Sequence, residues 1–248
     1  MSELSYLERG RERLAFRRRE GAGPGVVWLG GFRSDMEGTK AQALDAWAAR
    51  TGRAFLRFDY SGHGSSSGDF LQGTISGWLS DALAIIEAQS QGPQILVGSS
   101  MGGWIALLAA RTLPAAGLLL IAPAADFTEV LMWDEMAHDA RRAIIEKGFW
   151  RRESAYDGES YDITRALIED GRRHLVLGER LAPGCPVRIL QGLADLDVPW
   201  RHAIRVADAI DGDVTVTLVK NGDHRLSTPA NLKLLERTLD GLLEDAST

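Results

Sequence analysis

The chain has 248 residues, 45% of them hydrophobic and 25% charged, a composition that suits a globular protein with a substantial core. Its formal net charge of −6 gives no electrostatic reason to bind nucleic acid or an anionic membrane surface, and no apolar run approaches the roughly 18 residues of a membrane-spanning helix. A single cysteine, Cys185, excludes an intrachain disulfide and suits a reducing compartment, so the expectation is one soluble, cytoplasmic domain.

Taken in chain order, the Arg-rich start (Arg9, Arg11, Arg13, Arg17, Arg18, Arg19) is interleaved with Glu8, Glu12 and Glu20, which suits a solvated strand pair better than a binding patch. Leu14 to Arg19 reads as a strand, Gly21 to Gly25 as a turn and Val26 to Leu29 as a buried strand ending at Gly30-Gly31. A helix over Thr39 to Arg50, a strand over Ala54 to Phe58, a polar loop from Asp59 to Gln72 and a helix over Ile75 to Gln89 follow. Gln94 to Val97 is the next strand, Trp104 to Ala110 a helix apolar all round, and Gly117 to Ile121 another buried strand. This alternation predicts a mostly parallel, doubly wound α/β sheet with helices on both faces.

The alternation breaks between Asp126 and Pro186, where two helical stretches, about Thr128 to Lys147 and Ile163 to Leu175, flank a polar segment, Arg151 to Tyr161, suited to a hairpin or a loop. Val187 to Gln191 resumes the sheet, a helix spans Arg201 to Ile210, Val214 to Val219 is a last strand, and Ser227-Thr228-Pro229 starts a closing helix to Leu243.

Gly98-Ser99-Ser100-Met101-Gly102 has the pattern G-x-S-x-G between a strand and a helix, the context in which a sharp turn exposes a nucleophilic serine. Gly64 to Gly68 matches the same pattern but has neither strand before it nor helix after it, and reads as a loop. A serine hydroxyl needs a positioned base and a group that orients that base. His224 follows the last strand and is the candidate base, whereas His63, His138, His174 and His202 lack such placement and read as surface or supporting residues; no pair has metal-ligand spacing. Asp195 and Asp197 share the loop after Val187 to Gln191. Asp195, earlier after the strand, is the favoured acid; Asp197 and Asp126 are the alternatives, and Asp223 is read as a turn residue. The backbone N–H groups of Phe32 and Met101 are the expected oxyanion donors. Cys185 reads as a small buried hydrophobe.

Together Ser100, Asp195, His224 and Gly30-Gly31-Phe32 resemble the α/β-hydrolase family over nearly the whole chain. Leu29 to Ala41, Ser61-Gly62-His63-Gly64 and Gly98 to Trp104 are more narrowly similar to the branch of mitochondrial acyl-protein thioesterases that also hydrolyse acyl glucuronides. The resemblance implies an α/β-hydrolase fold with a small helical lid at about 126–186, in which Phe127, Leu131, Trp133 and Met136 line an acyl pocket; packing on the domain explains their spacing equally well. It implies a cofactor-free serine esterase or thioesterase acting on a small-molecule ester, an acyl thioester or an acylated protein. A noncatalytic binding protein on the same scaffold and an acyltransferase using the same acyl-enzyme are the alternatives.

Overall fold

A computed structural model describes residues 2–10, 12–153 and 160–246, so the middle of the expected polar segment lies outside the described residues. The strands are β1 (Leu4–Arg9), β2 (Glu12–Arg19), β3 (Ala22–Leu29), β4 (Arg53–Phe58), β5 (Gln94–Ser99), β6 (Ala115–Ile121), β7 (Phe149–Glu153), β8 (Ser160–Thr164), β9 (Val187–Gly192) and β10 (Val214–Val219). Eight of them form one sheet in the order β1-β2-β4-β3-β5-β6-β9-β10. At one edge β2 pairs antiparallel with both β1 and β4; from β4 to β10 the pairing is parallel.

The two faces of this sheet follow from the alternation of side chains along a strand. On β3, Val26 and Trp28 join one buried cluster while Val27 and Leu29 join the other. The first cluster is closed by α1 (Thr39–Thr51) and α7 (Pro229–Asp245), through Leu44, Trp47, Leu235 and Leu239. The second is closed by α2 (Ile75–Gln89), α3 (Met101–Ala109) and α6 (Trp200–Ala209), which bring Trp78, Ile85, Trp104, Ile105 and Val206. Every residue of α3 is buried, as its all-apolar surface requires. Helix starts agree with local chemistry: Thr74 Oγ1 accepts from Gly77 N at 3.1 Å, and Thr228 Oγ1 accepts from Asn231 N beside Pro229.

The segment between β6 and β9 departs from the expected helical lid. A π-helical turn, Thr128–Trp133, precedes α4 (His138–Lys147) where one helix was predicted; β7 and β8 then form an antiparallel pair, and α5 is only Arg165–Gly171. Ile163, expected in a helix, is buried in β8 opposite Trp150. The insertion is tied shut at its base by Asp126, whose carboxylate accepts from Val176 N at 2.8 Å and Leu177 N at 2.9 Å.

Candidate active site

The residue that follows β5 takes a backbone that L-residues rarely adopt: Ser100 sits at φ 54°, ψ −118°. Strain of this kind costs on the order of 1–3 kcal/mol and persists only where the surroundings over-determine it. Here the over-determination is steric. A Cβ on Gly98 would stand 2.3 Å from Gly102 O, and one on Gly102 would stand 2.0 Å from Leu29 O, so only glycine lets α3 turn back across β5 and β3. The turn leaves Ser100 partly exposed at the carboxyl edge of the sheet.

Two loops at the same edge complete a chain of hydrogen bonds. His224, two residues beyond the turn that follows β10, places Nε2 3.1 Å from Ser100 Oγ and Nδ1 2.9 Å from Asp195 Oδ2. The Asp195 side chain is fully buried and that of His224 is 19% exposed, so the carboxylate is dry while the imidazole remains reachable. Asp195 also accepts from Gln191 Nε2 at 3.0 Å, Asp197 N at 2.9 Å and Val198 N at 2.8 Å. Burial works to raise its pKa, but the His224 hydrogen bond and charge, with the Val198 and Gln191 donors, hold it below the usual carboxylate range. With Asp195 as acceptor, the proton of His224 is assigned to Nδ1, leaving the Nε2 lone pair toward the serine.

Of the rival acids, Asp126 and Asp223 are engaged elsewhere. Asp197 is exposed and gives its backbone N–H to Asp195; Asp126 holds the insertion; Asp223 accepts from Leu226 N at 2.9 Å, as a turn residue should. Among the described residues the group of His, Asp or Glu ligand atoms gathered within 4.8 Å is Asp195, Asp197 and His224, and both nitrogens of His224 are taken by Asp195 and Ser100.

The turn after β3 lies beside the nucleophile: a Cβ on Gly31 would be 3.4 Å from Ser100 Cβ. The N–H groups of Phe32, in this turn, and Met101, at the start of α3, have no hydrogen-bond partner among the described residues. The Phe32 ring meets Phe70 (5.1 Å), Trp78 (5.9 Å), Phe127 (5.7 Å) and Tyr161 (5.9 Å), a hub joining the turn to the 59–72 loop, α2 and the insertion. A cleft of about 480 Å³ opens next to it, lined by Arg33, Ser34, Asp35, His63, Arg151 and Tyr161 among others. Of the four residues expected along an acyl pocket, Phe127 is buried against Phe32 and Trp104, and Leu131, Trp133 and Met136 pack, half-buried, on the main core; none of the four lines this cleft.

Sequence reasoning missed several supports. Gln191 was taken only as the end of a strand, yet its amide braces Asp195; a polar residue in the buried carboxyl end of the strand, after Ile189-Leu190, was the available signal. Arg57, inside the strand read over Ala54 to Phe58, is buried and bonds Met36 O at 2.6 Å and Glu37 at 2.8 Å, fixing the far end of the turn that carries Phe32. His63 and His202 are buried rather than on the surface. His174 Nε2 lies 2.7 Å from Ser76 Oγ, and His138 is exposed. Cys185 is half-buried with its thiol pushed up to about 11 by burial, which keeps it protonated and unreactive.

The chain is 40% identical over its whole length to a mouse protein named mitochondrial palmitoyl-protein thioesterase ABHD10, of which the alignment covers 84%, and 38% identical to the human protein of that name, of which it covers 82%. The solved structure of the mouse protein superposes with a TM-score of 0.91 at 39% identity, over 98% of this chain and 99% of that one, and a crystal structure from Agrobacterium vitis S4 with a TM-score of 0.93 at 41% identity, over 98% of each. These relatives overturn the expectation of a cytoplasmic location, because the proteins matched along the full chain are named as mitochondrial. A lone thiol suits any reducing compartment, and so could not separate one from another. The alpha/beta hydrolase family matches residues 23–235, which hold the strained serine turn and both partner loops, and to that family the chain belongs.

Proposed function

We propose that the chain hydrolyses carboxylic esters and thioesters through an acyl-enzyme on Ser100, with His224 as base and Asp195 as the acid behind it. The observation that carries this is the unbroken line from Ser100 Oγ to His224 Nε2 at 3.1 Å and from His224 Nδ1 to Asp195 Oδ2 at 2.9 Å. His224 takes the serine proton as Oγ attacks the acyl carbon, and Asp195 stabilises the imidazolium. The N–H groups of Phe32 and Met101 receive the oxyanion. The imidazolium then gives its proton to the departing alcohol or thiol, and water, activated by the same histidine, releases the acid.

The relatives' names, palmitoyl-protein thioesterase, support a long-chain acyl thioester on a protein as the substrate to try first. The polar cleft beside the oxyanion turn suits a hydrophilic leaving group. We read the whole chain as one catalytic domain, with residues 126–186 as its lid and Phe127, Leu131, Trp133 and Met136 as the apolar side of that lid.

The test is hydrolysis of matched oxygen esters and thioesters with short to long acyl chains by wild type and Ser100→Ala. Turnover by wild type with a loss of about 10³-fold or more in Ser100→Ala supports the reading. If wild type turns over no member and a serine-directed fluorophosphonate does not label it, the reading fails and a binding role on the same scaffold replaces it.

A further inference from the structure

The second G-x-S-x-G, in the polar 59–72 loop, has no nucleophile, yet this loop grips the turn on which oxyanion binding depends. Asp59 Oδ1 accepts from Met36 N at 2.7 Å while its Oδ2 accepts from Ser65 N at 2.8 Å, so one carboxylate staples the two loops together. Four residues further on, His63 Nε2 lies 3.3 Å from Arg33 N and its Nδ1 lies 3.2 Å from Ser61 O. Arg33 N–H can only donate and Ser61 O can only accept, so the ring is neutral, with its proton on Nδ1 and its lone pair toward Arg33.

The ring has little freedom to leave this position. His63 is 4% exposed and meets Tyr60, Phe70 and Trp78 edge-on, with centroids 5.8, 5.2 and 5.3 Å away. Burial also pushes its pKa down, against the pull of the Ser61 carbonyl and the Asp81 charge, and a neutral acceptor is what the geometry needs. On the other side of the bond, Arg33 is at φ 58°, a left-handed backbone that costs a non-glycine residue on the order of 1–2 kcal/mol and must be held from outside. The peptide that carries Arg33 N–H is the one leaving Phe32. That plane is held by His63, the Phe32 ring by Phe70 and Trp78, and the preceding Gly31–Phe32 peptide, which carries the Phe32 N–H, by Ser34 N donating to Gly31 O at 3.1 Å; together these leave the Phe32 N–H one orientation.

We propose that His63 is a positioning residue of the oxyanion hole: as a neutral acceptor for Arg33 N–H it fixes the Phe32–Arg33 peptide and so aims the Phe32 N–H at the charge that develops on the substrate. This rests on the assignment of Phe32 N–H as an oxyanion donor in the proposed function. The role is exercised in the transition state, where the oxyanion exists, so its loss lowers kcat and leaves KM nearly unchanged.

The experiment compares wild type with His63→Phe, His63→Gln and His63→Asn on one chromogenic ester. Phe keeps the ring without an acceptor; the Gln amide oxygen reaches the Nε2 position; the Asn amide reaches only the Nδ1 position, keeping the Ser61 bond and abandoning Arg33. A whole oxyanion donor is worth about 10²- to 10³-fold, so a misaimed one should cost about 10- to 100-fold in kcat. His63→Phe and His63→Asn should show that loss with KM within about twofold, and label equally slowly with a fluorophosphonate, whereas His63→Gln recovers most of the rate. Should His63→Phe fail to fold, the contrast between Asn and Gln decides alone. Wild-type kcat in the Asn variant, or equal losses in Asn and Gln, overturns the positioning role while leaving the Ser100 mechanism intact. An inert wild type removes the parent reading and this one with it.

Discussion

Asp195→Asn is the substitution whose outcome the structure constrains most tightly. Each carboxylate oxygen of Asp195 faces two donors: Oδ1 takes Asp197 N and Val198 N, and Oδ2 takes Gln191 Nε2 and His224 Nδ1. An asparagine must turn its NH₂ toward one of these pairs. Against Oδ1 it would oppose two backbone N–H groups that cannot move without unfolding the loop, so the amide nitrogen goes to the Oδ2 position. There it donates to His224 Nδ1 and forces the imidazole proton onto Nε2, facing Ser100, where a base is needed. The charge that stabilises the imidazolium is lost in the same step. Wrong tautomer and lost charge together cost about 10⁴-fold in kcat, on the order of 5 kcal/mol of transition-state stabilisation. Steady-state kinetics on one ester and its thioester should show this loss with KM changed less than about tenfold, while Asp197→Asn, exposed at the surface, keeps the wild-type rate. Retention of more than about a tenth of kcat by Asp195→Asn, or an equal loss in Asp197→Asn, would refute the assignment.

Two further outcomes concern the scaffold. Gly102→Ala puts a methyl group 2.0 Å from the backbone oxygen of Leu29, which sits in a strand and cannot swing aside, and should cost about 3 kcal/mol or more, read as a melting temperature lowered by several degrees or as insoluble protein; a wild-type melt would show that the elbow is looser than drawn. His202, buried at the start of α6, has its pKa pushed down to about 4 by burial, opposed by its bond to the Ala125 carbonyl. The unfolded chain takes up this proton near pH 6.5 and the folded chain only near pH 4, so stability falls as pH drops through that window, by up to about 1.4 kcal/mol per pH unit. Urea denaturation at pH 7, 5.5 and 4.5 should show a shallower fall in His202→Asn than in wild type, and parallel curves would rule the histidine out as the source.

The legible parts of this chain are those where one residue type answers one local demand. Gly98 is required by a clash with the backbone of Gly102 inside the same G-x-S-x-G turn, and Asp195 and His224 each follow a strand, so loop position alone places them at the carboxyl edge. The illegible parts depend on distant partners. The polar stretch Arg151 to Tyr161 suited a hairpin or a loop alike, and the choice between them rests on a partner eleven residues on: Arg151 Nε comes within 2.8 Å of Asp162 Oδ1 once β7 and β8 have paired. Asp126 was weighed as a catalytic acid because it follows β6, and it is the two N–H groups at positions 176 and 177, fifty residues away, that show what it holds. His63 looked like any loop histidine because its acceptor role is defined by Arg33, on another loop.

The acyl side of the site turns on the same hub. Phe127 touches Phe32 at 5.7 Å and Trp104 at 5.7 Å, so the π-helical turn that begins beside it is packed directly against the residue proposed to hold the oxyanion. Leu131, Trp133 and Met136 are seated on the core, and Trp133 is capped by Arg172 at 4.7 Å. As it stands, the packing explanation for their spacing accounts for all four residues. On the proposed lid reading, an acyl chain reaching them would displace Phe127, at the start of a π-helical turn, a rare element met mostly as a single turn and often at functional sites. Because Phe127 and Phe32 share a contact, such a displacement acts directly on the oxyanion turn. On the proposed reading of residues 126–186 as a lid, acyl-chain selectivity and the aim of the Phe32 N–H would meet at this one pair of rings rather than in two independent parts of the fold.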